Sequence, residues 1–214
     1  VGNCTQAAQA FALFYDLIPE NEKATAFNVL LQAIDKWDGH VASGIFGVPA
    51  VFEVLRLNNR NDIAYEMATK KDFPGWGHML ESGATTLWET WRYSDNVFSQ
   101  NHPMFGSVGE WMYQSLGGIT PGAPGFSKVV IKPQPAGDLS WVNCSYESVN
   151  GTIVSNWKKE GDIFELQVTV PANTTARIYL PSSTDSKITE SGSSLKGVSD
   201  MKILGYDNGF SCME

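Results

Sequence analysis

Through the first half of the chain apolar residues recur at three- and four-residue spacing, and through most of the second half they alternate with polar ones. Thr5 is placed to cap a helix carrying Ala8, Phe11, Ala12 and Tyr15, running on to Leu17 and Ile18 and stopping near Pro19. Residues 20–37 predict a second helix, with Ala26, Val29, Leu30, Ala33, Ile34 and Trp37 on one face. Residues 44–57 predict a third, apolar almost all round through Ile45, Phe46, Val48, Val51, Phe52, Val54 and Leu55, as an inner helix buried by others should be. A polar turn leads to a shorter helix over 62–70. Residues 72–88 contain Pro74, Gly75 and Gly77 and are expected to run as irregular backbone. Residues 103–116 predict one more helix, with Val108, Trp111, Met112 and Tyr113 as core candidates and Gly117-Gly118 as its stop.

From Pro121 the texture changes. A turn-rich Pro-Gly-Ala-Pro-Gly connection precedes short runs at 129–131, 137–149, 152–158, 163–170, 176–180 and 201–204 that read as strands. In the run from Phe164 to Val170 the alternation is strict, so Phe164, Leu166, Val168 and Val170 should face a core while Glu165, Gln167 and Thr169 face water. Asn150-Gly151 is a two-residue hairpin signal. The expected fold is therefore α then β, with a helical domain over 1–120 and an antiparallel β-sandwich over 121–214. The Ser- and Gly-rich stretch 182–199 reads as a mobile connection.

Composition narrows the function. At 214 residues the chain can bury a core in one large or two small domains, and a formal charge of −8 argues against nucleic acid or an anionic membrane as partner. It suits a neutral substrate such as a sugar. No apolar run approaches the roughly 20 residues that span a bilayer. The start at Val1-Gly2-Asn3 shows neither an initiator Met nor a charged leader, so the chain is expected to be an excised piece. Cys4, Cys144 and Cys212 are too few and too scattered for a disulfide framework or metal knuckle; a Cys144–Cys212 bridge is open only in an oxidising compartment. No cofactor is implied, and no His/Asp/Glu cluster at ligand spacing calls for a metal.

Candidate chemistry concentrates between positions 76 and 102. Trp88-Glu89-Thr90-Trp91 sets one carboxylate between two indoles, and His102 follows after a short loop. Indole faces stack on the apolar face of a pyranose, and a carboxylate in a partly dry pocket can serve as general acid or base. The same run also suits an amphipathic core segment with a solvated Glu. Trp76 is a second stacking candidate and His78 a weaker one, with core packing open for both. Glu81 and Asp95 are alternative bases that read by default as solvated loop acids.

Several words in fixed order carry a resemblance: Ser43-Gly44-Ile45-Phe46-Gly47-Val48-Pro49, Asp62-Ile63-Ala64-Tyr65, Phe73-Pro74-Gly75-Trp76-Gly77-His78-Met79-Leu80, Ala84-Thr85-Thr86-Leu87-Trp88-Glu89-Thr90-Trp91, and Asn101-His102-Pro103-Met104-Phe105-Gly106 running on to Glu110-Trp111. In these the chain resembles the catalytic domain of the bacterial α-L-rhamnosidases, inverting glycoside hydrolases of family 78. The resemblance implies part of an (α/α)6 barrel, about half of it, followed by a C-terminal β-sandwich. By the same resemblance Glu89 matches the general base and His102 a histidine lining the rhamnose subsite. Of Trp88 and Trp91, which flank the base on opposite sides, one should reach the sugar. The family's general acid lies in an earlier Asp-, Arg- and Gly-rich segment that does not occur here, so the chain alone is expected to be nearly inert.

The implied partners are a rhamnose-containing glycan or glycoside and the missing N-terminal part of the barrel, with a dimer through the exposed barrel face as another way to cover it. Trp141, Tyr146 or Trp157 in the β region could bind carbohydrate, though strand aromatics mostly serve packing. The alternatives are a helical-toroid glycosidase of other specificity and a non-catalytic carbohydrate-binding or interaction module. The compartment stays open, with a bacterial periplasmic or secreted setting preferred to a cytoplasmic one.

Overall fold

The computed structural model describes residues 2–94, 98–195 and 201–214. The chain divides into two units, Val1–Trp111 and Met112–Glu214.

The first unit is helical: α1 (Gln6–Phe14), α2 (Glu20–Asp35), α3 (Gly47–Leu57), α4 (Asn61–Thr69), α5 (Trp76–Glu81) and α6 (Val108–Trp111). Thr5 caps α1 as expected, its hydroxyl accepting from the Ala8 N–H at 3.3 Å. The buried face of α1 differs from the expected one. Tyr15 and Leu17 lie outside the helix and are exposed, whereas Gln6, Gln9, Ala10 and Ala12 are buried. Gln6 goes inside because its amide is fully used: Nε2 donates to the His40 carbonyl at 2.8 Å and Oε1 accepts from the Ala42 N–H at 2.9 Å. It holds α1 to the segment that leaves α2.

On α2, Ala26, Leu30, Ala33 and Ile34 are buried as the periodicity requires, but Trp37 lies beyond the helix end and is half exposed. Val48, Val51, Phe52, Val54 and Leu55 make α3 the innermost helix, packed against α1, α4 and α6. Phe46, just before it, is 67% exposed, and so are Leu17 (73%) and Leu80 (72%). The segment expected to be irregular contains α5. Residues 103–116 are not one helix: Pro103–Ser107 winds as 3-10, Val108–Trp111 as α and Met112–Leu116 as π. Each change of pitch rotates the face that a constant 3.6-residue period would predict, which is why Trp111 is buried while Met112 and Tyr113 are about half exposed.

The second unit holds strands β1 (Ile119–Pro121), β2 (Lys128–Ile131), β3 (Trp141–Ser148), β4 (Gly151–Glu160), β5 (Ile163–Thr169), β6 (Thr175–Pro181), β7 (Thr189–Glu190), β8 (Ser193–Ser194), β9 (Ile203–Asp207) and β10 (Phe210–Met213). One sheet runs β1-β2-β6-β10-β9, a second β3-β4-β5, and β7-β8 form a small ribbon. Ile119, Val129 and Ile131 of the first sheet and Ile153 of the second form the buried core, with Cys144, Leu166, Val168 and Ile178 packed around it. The β5 alternation is as expected, with Phe164, Leu166 and Val168 turned inward.

Among the described residues the strand pairings are antiparallel except β2 with β6, which is parallel. The β3–β4 hairpin turns through Val149 and Asn150, with Ser148 paired to Gly151. Gly151 is thus the first residue of the return strand, at φ +125°, rather than a central turn residue. The stretch read as a mobile connection contains the β7–β8 ribbon; its residues 196–200 lie outside the described residues. All three cysteines are free thiols, with Cys4 exposed and Cys212 buried. Burial pushes the Cys144 thiol up from its ordinary value.

Candidate active site

After α5 the chain turns at Gly83 (φ +83°) and enters a segment without regular structure that carries the Trp-Glu-Thr-Trp run. Its order comes from a second segment thirteen residues on. The His102 N–H donates to the Leu87 carbonyl at 2.8 Å, the Glu89 N–H donates to the Ser99 carbonyl at 2.9 Å, and the Thr86 hydroxyl donates to the Gln100 carbonyl. Residues 86–89 therefore lie alongside 99–102. Two backbone hydrogen bonds, reinforced by the Thr86 hydroxyl, place Glu89 and His102 on one ribbon.

The Glu89 carboxylate is half-buried, and its Oε2 accepts from the Ser99 N–H at 2.8 Å. Since a carboxylate has about four acceptor positions, one such bond orients it and leaves capacity for a water or a hydroxyl. His102 is half-buried at the entry to the 3-10 turn. Pro103 restricts it to extended backbone (φ −126°, ψ 125°), and its Nδ1 accepts from the Met104 N–H at 3.4 Å. With Nδ1 as acceptor, a neutral imidazole carries its proton on Nε2, which is then the nitrogen able to donate.

The three candidate indoles take different places. Trp91 is 8% exposed, stacks on Phe105 with centroids 3.7 Å apart, and donates from Nε1 to the Ser43 carbonyl at 2.7 Å. Trp76 is 9% exposed, meets Trp91 and Phe52 edge-on, and donates from Nε1 to the Phe105 carbonyl at 3.1 Å. Both are bedded in a cluster that continues through Phe52 to Trp111, whose Nε1 donates to Asn61 Oδ1 at 2.6 Å. Trp88, next to Glu89 in the chain, is also buried, but it belongs to a separate series: its ring meets His78 at 6.5 Å and Tyr93 at 5.4 Å, and His78 meets Phe73 at 5.4 Å. Phe73 and Tyr93 are exposed ends of that series. Glu81 is exposed at the end of α5, and Asp95 lies outside the described residues.

Sequence reasoning missed Ser99, whose contribution is a backbone N–H and leaves no side-chain signal. It also missed His40 with Asp72. His40 is buried, and its Nδ1 faces the Trp37 carbonyl and its Nε2 faces Asp72 Oδ1, both at 2.8 Å. Both ring nitrogens thus face oxygens, one on the backbone and one on a carboxylate. The hydrogen bond from His40 holds the Asp72 carboxyl below the usual carboxylate range. This pair ties the end of α2 to the turn that leads into Phe73 and α5. No group of His, Cys, Asp and Glu able to hold a metal occurs among the described residues. None of their helices is long and apolar enough to cross a membrane.

Comparison with known proteins places these features. Residues 1–116 match the family described as the bacterial alpha-L-rhamnosidase 6 hairpin glycosidase domain, and residues 118–194 match the bacterial alpha-L-rhamnosidase C-terminal domain. The chain is 34% identical over 185 residues to an alpha-L-rhamnosidase of Streptomyces avermitilis, covering 83% of the chain and 18% of that protein. It is 34% identical over 188 residues to one of Alteromonas sp. strain LOR, covering 84% and 20%.

Among solved structures, the S. avermitilis alpha-L-rhamnosidase complexed with L-rhamnose superposes with a TM-score of 0.87 at 29% identity, over 100% of the chain and 21% of that protein. The alpha-L-rhamnosidase from Dictyoglumus thermophilum gives 0.89 at 29% identity, over 98% and 24%. The chain thus spans about a fifth of the length of the relatives it matches. Its architecture is part of an (α/α)6 barrel followed by a β-sandwich.

Proposed function

Because the chain belongs to the bacterial alpha-L-rhamnosidase six-hairpin glycosidase family, we propose that it is the base-bearing part of a longer enzyme that hydrolyses terminal α-L-rhamnosyl residues. Glu89 is the general base of an inverting reaction. The observation that supports this reading is the pairing of residues 86–89 with 99–102, which puts a half-buried carboxylate anchored by the Ser99 N–H and a half-buried histidine on one ribbon.

In an inverting reaction one carboxylate takes a proton from water as the water attacks the anomeric carbon, and a carboxylic acid on the other side protonates the departing oxygen. The two groups stand roughly 6.5–9.5 Å apart to admit the water. The Ser99 N–H fixes the direction of the Glu89 carboxylate, and its remaining lone pairs accept the water's proton. Nε2–H of His102 donates to a rhamnose hydroxyl or to that water. Trp88 supplies the apolar wall beside the base, while Trp76 and Trp91 support the loop from beneath. The general acid comes from the preceding part of the barrel. The same part covers Phe46, Leu17 and Leu80, with self-association of the exposed face as the alternative in the isolated chain.

The test is hydrolysis of an aryl α-L-rhamnoside by the full-length protein, wild type beside Glu89→Gln, with circular dichroism to check folding. Loss of the base should lower kcat by about 10²–10⁴-fold, and the 214-residue chain alone should be near background. A folded Glu89→Gln enzyme with wild-type turnover would remove Glu89 from the mechanism. A wild-type protein inert on rhamnosides would assign the barrel another substrate.

A further inference from the structure

Resting on the reading of Glu89 as general base, we propose that Thr86 and Gln100 are a positioning pair for it. Together they fix the ribbon on which the Ser99 N–H meets the Glu89 carboxylate.

The carboxylate takes its direction from the Ser99 N–H, which donates to Oε2 at 2.8 Å. That N–H belongs to the opposite arm of the ribbon, so the base is aimed only as well as the two arms are held in register. Two backbone hydrogen bonds set the register, from the Glu89 N–H to the Ser99 carbonyl and from the His102 N–H to the Leu87 carbonyl. Gln100, between Ser99 and His102 in the chain, adds one tie to each side of Glu89. Its carbonyl accepts from the Thr86 hydroxyl, ahead of the base, and its Nε2 donates to the Ser94 carbonyl, beyond the base, at 3.0 Å. The Ser99 hydroxyl accepts from the Asn101 N–H at 3.1 Å and stiffens the same arm.

Both ties of Gln100 are exposed, so water competes for them and they add little to folding. Their consequence is geometric. A hydroxyl held on a carbonyl across the ribbon keeps the arms from sliding past one another, and a misplacement of about 1 Å at a reacting group can cost about a hundredfold in rate. Thr86 is itself exposed, so valine at this position removes the hydroxyl and keeps the branched shape without disturbing a core.

The experiment is a double-mutant cycle in the full-length enzyme, with an aryl α-L-rhamnoside as substrate and circular dichroism to check folding. Thr86→Val should lower kcat by about three- to thirtyfold with KM little changed, and Gln100→Leu should act in the same direction. Thr86→Ser, which keeps the hydroxyl, should restore most of the rate. In a Glu89→Gln background Thr86→Val should have no further effect on kcat, because a residue that acts through the base has nothing left to position. Wild-type kcat in folded Thr86→Val, a raised KM at unchanged kcat, or the same fold loss in both backgrounds overturns the proposal. Wild-type turnover in Glu89→Gln is the separate outcome that removes the base itself, and the positioning pair with it.

Discussion

Replacing Trp91 by Phe separates a structural indole from a sugar-stacking one. Trp91 is 8% exposed, and its Nε1–H is the partner of the Ser43 carbonyl at 2.7 Å, on a residue itself 2% exposed. Phenylalanine keeps a ring against Phe105 but removes the donor and leaves that carbonyl buried and unpaired, at about 1–3 kcal/mol. The smaller ring forfeits some 40 Å² of apolar burial, about 1 kcal/mol more. The sum is about 2–4 kcal/mol. With a urea slope of about 2 kcal/mol/M, the unfolding midpoint of the helical unit should fall by about 1–2 M. Far-UV circular dichroism of the 214-residue chain in urea reads this directly. A shift under about 0.3 M would refute the reasoning, since a loss of ~0.5 kcal/mol is too small for an orphaned buried carbonyl. A raised KM for aryl rhamnoside in the full-length protein without lost stability would instead make Trp91 a substrate platform.

Two further predictions concern other parts of the chain. Asp72 has its folded pKa depressed by the His40 hydrogen bond, so its contribution is present above the unfolded carboxylate value of about 3.9 and is lost as pH falls through the folded value. Asp72→Asn should lower the urea midpoint at pH ~6, and its gap from wild type should close on acidification below pH ~4; a gap constant with pH would exclude the carboxylate as its source. Gly118 sits at φ +76°, where an added Cβ would lie 2.2 Å from the Pro133 nitrogen. Gly118→Ala combines about 1–2 kcal/mol of left-handed strain with about 1–3 kcal/mol of overlap, and thermal unfolding should show a loss of about 2–5 kcal/mol.

The elements whose pattern depends only on near neighbours were legible in the chain. The cap at Thr5, the buried stripe on α2, the apolar α3 and the strict alternation of β5 each follow from a helix or strand period, because local geometry decides which side chains share a face. The ordered words around Glu89 and His102 identified the family on the same terms, residue by residue.

What the sequence could not give depends on partners distant in the chain. Gln6 is buried because of His40 and Ala42, and β10 is a central strand because β6 and β9 flank it. Periodicity within a short window carries neither fact. Which indole is bedded in the Phe105 cluster and which joins the His78 series was decided by Ser43, Phe105 and His78, ten or more residues away in the chain. Glu89 and His102 share a ribbon because the Glu89 N–H donates to the Ser99 carbonyl and the His102 N–H to the Leu87 carbonyl, and a backbone hydrogen bond leaves no mark on residue identity.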